Sequence, residues 1–190
     1  IGGCLLLDGS IGSRTAALSK PYDDDPQNSG TLYFSDEELS AFFKDALNCD
    51  MRVAMHGIGD RAIEQFLSTL ERVSGGVGVS GWRIEHAELA SREQIERASR
   101  MGVAFSVQPA FESRWGGASK LYAKRLGERW KLTNQFRTMM EAGMLLLGGS
   151  DAYVTPIDPI AGIHAAIHHP NAAQRLNLSE ALGMFSTNPV

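Results

Sequence analysis

The stretch VAMHGIGDRA, residues 53–62, decides how the rest of the chain is read. Three apolar residues run straight into His56. Gly57 and Gly59 then lead to Asp60 and Arg61, where a segment of helical period begins. A short, unbroken apolar run bounded this way has the length of a strand buried on both faces. Taken alone, the imidazole at its end reads as a core histidine whose ring nitrogens find backbone partners. The sequence on either side changes that reading.

Four more runs of the same kind occur at CLLL (4–7), WRIE (82–85), VAFSV (103–107) and MLLLG (144–148), and the run at 53 itself extends back to MRVAM (51–55). None alternates as a half-exposed strand would. Helical segments lie between them. SDEELSAFFKDAL places Glu38 three residues after Ser35, and SREQIERASRMG places Gln94 three after Ser91. Both are capping-box patterns. DRAIEQFLSTLERV sets Ile63, Phe66, Leu67 and Leu70 on one face. Asp60 at its start suits a helix cap near the positive dipole end. Gly102 and Gly143 stand where C-terminal glycines belong. Strand and helix in alternation predict an α/β fold with a parallel sheet and right-handed crossovers. Residues 1–190 read as a single domain.

Bulk properties narrow the function classes. The net charge of −4 has no basic stripe, which argues against a nucleic-acid partner. No apolar run approaches the roughly 20 residues of a membrane span. Cys4 and Cys49 are too few for a disulfide framework, so a reducing, cytoplasmic location is expected. Residues 8–34 and 108–132 form two long connections after strands, where α/β proteins carry function.

The polar residues just past each apolar run complete the pattern: Asp8, His56, Glu85 with His86, Gln108, and Ser150 with Asp151. In a parallel sheet or barrel these positions share one rim, where substrates bind. Two imidazoles and a carboxylate converging there make the ligand set of a catalytic zinc or similar site. Such a metal lowers the pKa of water toward neutrality.

In order, DGSIGSRTAAL, HGIGDRA, IEHAEL, SVQPAF, GGSDA and the Asp158-Pro159 pair resemble the amidohydrolase superfamily, and most nearly its family-3 branch of metal-dependent hydrolases. The similarity runs from about Cys4 to Pro189. It implies a partial (β/α)8 TIM-type barrel, covering about strands 4 to 8 with their helices. Strands 1 to 3 and the family's small β-sandwich have no counterpart in the sequence. By resemblance His56 corresponds to the strand-5 ligand and His86 to the strand-6 ligand. Asp151 corresponds to the strand-8 aspartate, which touches metal and takes the proton from the attacking water. The expected activity is hydrolysis of a non-peptide carbon–nitrogen bond of a small-molecule substrate by metal-activated water. The cofactor is a divalent metal, with zinc preferred by these ligand types, and one or two ions in the intact protein.

Two departures follow. No His-x-His pair exists, and the family's strand-4 lysine position holds Cys4, whose thiolate either coordinates zinc or is a small buried hydrophobe. With at most three family ligands, the isolated chain is expected to be inactive. A half-barrel with open edges is expected to self-associate or to pair with the missing half. Arg14, Gln108 and Arg129 are candidate substrate contacts, Arg14 through its planar fork. Trp115 and Tyr122 join Arg129 as candidate lid residues. Glu85 either orients a ligand or forms a structural ion pair. His164, His168 and His169 are assigned to a partly exposed helix face. Two rival functions remain: a metal-dependent deaminase on the same scaffold, or a non-catalytic α/β assembly module.

Overall fold

The computed structural model describes residues 5–188. Four short strands, β1 (Ala54–Gly57), β2 (Arg83–His86), β3 (Ala104–Val107) and β4 (Leu146–Gly148), form one sheet in the order β1-β2-β3-β4. Every pairing is parallel. A parallel bridge between Leu6 and His56 extends the sheet beyond β1. There the Leu7 amide donates to the His56 carbonyl at 2.9 Å, and the His56 amide to the Leu5 carbonyl at 3.0 Å. The strand expected at 4–7 is therefore seen as this one bridge, and Cys4 lies outside the described residues.

Helices fill the connections. α1 (Asp36–Asn48) precedes β1, α2 (Asp60–Ser74) joins β1 to β2, and α3 (Arg92–Met101) joins β2 to β3. Both capping boxes are formed, Ser35 with Glu38 and Ser91 with Gln94. Gly102 takes the left-handed conformation that ends α3. The connection at 108–132 is not an open loop. It folds into α4 (Pro109–Trp115), α5 (Leu121–Leu126) and a 3₁₀ turn, followed by α6 (Phe136–Glu141). Pro109 at the first helical position starts α4 without wasting an amide. After β4 come α7 (Pro159–Ile167) and α8 (Leu178–Phe185).

The strand register separates two faces. Met55, Ile84, Phe105 and Leu146 are fully buried and pack against the helices, together with Ile63, Phe66, Leu67 and Leu70 of α2. The opposite face carries His56, Glu85, Ser106 and Leu147 in one row, with Leu6 at its end, and is partly open. The polar His56, Glu85 and Ser106 in that row explain why the sheet is not buried on both faces as the apolar runs predicted. β1 and β2 reach two residues and one residue further than their runs, so His56 and His86 sit within them.

α2 is capped by Gly59, not by Asp60. A Cβ on Gly59 would stand 2.0 Å from the Ala17 carbonyl oxygen, so the loop passes too close for any side chain. Asp60 instead accepts from the Ser19 amide at 2.9 Å and from the Ser19 hydroxyl, stitching the first long loop to the helix.

Candidate active site

The rim end of the sheet opens into a cleft of about 750 Å³, lined in part by His56, His86, Gln108, Asp151, Glu88 and Trp115. It is built from Asp8 upward. The Asp8 side chain is fully buried and accepts three backbone amides, from Ala17 at 2.8 Å, Ile58 at 3.0 Å and Gly59 at 2.8 Å. One carboxylate thus fastens the first loop and the β1–α2 turn together.

His56 stands above it. Its Nε2 is 2.9 Å from the Gly9 carbonyl oxygen and 3.5 Å from Asp8 Oδ1. The shorter contact is the hydrogen bond, because 3.5 Å lies beyond the usual N–H···O range. A carbonyl only accepts, so Nε2 carries the proton in the neutral ring and Nδ1 keeps its lone pair. Burial works against charging His56. The contacts with Asp8 and the Gly9 carbonyl outweigh it, and the pKa is raised.

His86 has the opposite arrangement. Its Nδ1 lies 2.7 Å from Gln108 Oε1. The Gln108 amide nitrogen donates to the Ser106 carbonyl at 3.3 Å, which fixes the amide with its oxygen toward the ring. Nδ1 therefore donates, and Nε2 is the free nitrogen. Burial, then the neighbouring His56, holds the His86 pKa down, against a smaller opposing pull from Asp151. His86 and Ala87 both have positive φ, 74° and 48°. Non-glycine residues in this region carry strain and cluster at functional sites. Here the turn is held by the Ala87 amide on the Gly57 carbonyl, 3.0 Å, and the Leu89 amide on that of Ile58, 3.0 Å.

The two imidazoles meet edge to face, with ring centroids 4.6 Å apart at 68°. Each has one nitrogen tied to a fixed acceptor and one without a protein hydrogen-bond partner among the described residues. That is the outer-shell arrangement that orients metal-binding histidines. The donor set fits a divalent cation as far as these two nitrogens go. Asp151 lines the same cleft on an exposed turn at φ 50°. Among the described residues no three His, Cys, Asp or Glu side chains are grouped to hold an ion. The structure thus brings His56 and His86 together and leaves Asp151 beside them.

Other expected contacts fall elsewhere. Arg14 donates twice to Asp24, both at 2.9 Å, and does not line the cleft. Arg129 donates to the carbonyls of Leu126, Lys20 and Pro21, bracing one loop against the other, and is also outside the lining. Gln108 lines the cleft, but both ends of its amide are engaged by His86 and Ser106. The contact with His86 fixes the tautomer of that ring. Glu85 pairs with Arg83. Trp115 and Tyr122 do reach the lining. His164 and His168 stack on an exposed face. His169 does not join them. It lies beyond the end of α7, fully buried, its Nε2 3.7 Å from Glu112.

Glu88 is a cleft residue that the sequence reading missed. It is 2% exposed and accepts from the Tyr122 hydroxyl. Burial pushes its carboxyl up to about 8; the Tyr122 hydrogen bond opposes this and the Glu112 charge adds to it. The available signal was an acid two residues past the histidine in IEHAEL.

With this geometry in view, comparison with known proteins gives a consistent result. Residues 3–190 match the family described as Amidohydrolase family. YtcJ of Bacillus subtilis (strain 168), an amidohydrolase by name, is 36% identical over 186 residues, covering 95% of this chain and 34% of that protein. Protein LONG AFTER FAR-RED 3 of Arabidopsis thaliana is 30% identical over 189 residues, covering 93% of this chain and 32% of that protein. The chain therefore spans about a third of the length of these curated relatives. The crystal structure of an uncharacterized metal-dependent hydrolase from Pyrococcus furiosus superposes with a TM-score of 0.87 at 32% identity, over 99% of this chain and 38% of that one. A second, from Pyrococcus horikoshii OT3, gives 0.85 at 34%, with the same coverage. The chain belongs to the amidohydrolase family.

Proposed function

We propose that this chain carries part of the active site of a metal-dependent amidohydrolase acting on a non-peptide, amide-type carbon–nitrogen bond. The observation that carries the reading is the pair of free nitrogens, His56 Nδ1 and His86 Nε2, on rings 4.6 Å apart in the cleft. His56 and His86 would hold the ion, with Asp151 beside them and Cys4 a further candidate. Imidazole and carboxylate ligands suit zinc. When bound, such a cation polarises the substrate carbonyl and makes water a competent nucleophile near neutral pH.

The chain's own residues do the rest. The Gly9 carbonyl and the Gln108 amide hold each imidazole in the tautomer that leaves its other nitrogen unprotonated. Asp151, on its exposed turn, takes a proton from the attacking water and delivers it to the departing nitrogen. The carbon–nitrogen bond breaks, the carbonyl carbon leaves as a carboxylate, and the nitrogen leaves as an amine. The bridge at Leu6 and strands β1 to β4 correspond in this reading to strands 4 to 8 of a barrel, whose remaining strands come from residues outside this chain. The open polar row on the sheet supports that assignment.

Nitrogen-15 NMR of the imidazoles tests the tautomers directly. His56 should show a protonated Nε2 and His86 a protonated Nδ1, and added zinc should shift His56 Nδ1 and His86 Nε2. Zinc that leaves both unmoved would remove the basis of the reading.

A further inference from the structure

We infer that the cleft selects uncharged amides bearing an aromatic group, and that Trp115 is the residue that selects them. This rests on reading the cleft as an amidohydrolase site.

The first support is a run of rings. Phe111 stacks on His86, with centroids 5.9 Å apart at 16°. Trp115 meets Phe111 edge to face at 4.7 Å, and Tyr122 continues the series at 6.3 Å. Phe111 and Trp115 are four residues apart on α4, so both fall on one helix face. The series starts at the imidazole beside which the amide carbonyl would react and leads along the cleft wall. Phe111 is 4% exposed, whereas Trp115 is only partly buried and lines the cleft. Ile11 and Leu121 add apolar surface to the lining. A flat apolar group seated there gains ring–ring contact beyond its area burial.

The second support is charge. Among the described residues, the one Lys or Arg lining the cleft is Arg83, and its guanidinium is taken by Glu85. Besides Glu85 and the imidazoles of His56 and His86, the lining holds the acids Glu88 and Asp151. A carboxylate on the substrate would find no unpaired Lys or Arg among these and would face the carboxylate of Asp151, while Glu88 keeps its proton to about pH 8. Arg14 and Arg129 are committed elsewhere.

The test is an NMR titration of the metal-free chain with three ligands: N-benzylacetamide, N-methylacetamide and N-benzylsuccinamate. The first should bind at least tenfold tighter than either of the others. Trp115→Ala should abolish its advantage over N-methylacetamide, with circular dichroism confirming the fold. Glu85→Gln, which frees Arg83 while keeping the side chain's shape, should raise affinity for N-benzylsuccinamate several-fold. Equal or tighter binding of the acid, no loss in Trp115→Ala, or no binding by any ligand at millimolar concentration would overturn the inference. The titration needs no metal, so its failure is distinct from failure of the metal-site reading.

Discussion

Asp8 shows how much one side chain can organise. It is buried, accepts three amides and sits beneath His56. Asp8→Ala would leave those amides without their acceptor. The expected cost is about 3 kcal/mol or more, read as a lower urea midpoint with unchanged slope. Glu112 gives a prediction of opposite character. It is fully buried, and burial raises its pKa to about 7 from an ordinary 4.5, against the Asn134 hydrogen bond. A raised acid pKa means the folded chain holds the proton longer than the unfolded one. Its contribution is therefore full below pH 4.5 and is lost as pH rises toward 7. Glu112→Gln should flatten stability across that window, as measured by denaturation at stepped pH. A slope unchanged by the substitution would mean that Glu112 titrates normally. At this scale the sequence disclosed residue types and rim positions but not partners. Arg14 looked like a free fork, yet Asp24, ten residues on, takes two of its donors. Nothing in one-dimensional spacing marks that pairing.

Among the elements, local signals were read well wherever the chemistry was local. The two capping boxes and the α2 apolar face are formed by residues within a few positions of each other. Ser91→Ala should cost about 1 kcal/mol, because it removes the hydroxyl that accepts the Gln94 amide. Gly59→Ala should be costlier than its ordinary backbone conformation suggests. The added methyl meets the Ala17 carbonyl, and such overpacking typically costs about 1–3 kcal/mol. A thermal melt of each variant checks both. Where contacts are distant the reading faltered. The cap of α2 was misplaced by one residue because Asp60 is engaged by Ser19, 41 positions away. The connection at 108–132 looked like a loop because its helices are too short to show a period.

At the scale of the whole molecule, the parallel sheet and its rim were legible because five apolar runs each ended in polar residues. One sheet face is partly open along His56, Glu85 and Ser106, where the apolar runs taken alone read as strands buried on both faces. Leu6 and Leu145 are 39% and 50% exposed, and Ile157 and Ile160, near the start of α7, are 82% and 71% exposed. Apolar surface of this kind favours association. The sedimentation coefficient should rise with concentration, and a single monomer value across a wide range would contradict this. No helix among the described residues is long and apolar enough to cross a membrane. The central claim concerns His56 and His86, and elemental mass spectrometry of the purified, untagged chain tests it most directly. The expected result is zinc near one per chain, lost in both His56→Ala and His86→Ala. An unmutated chain that carries no metal, or variants that keep it, would contradict the assignment of these two histidines as ligands.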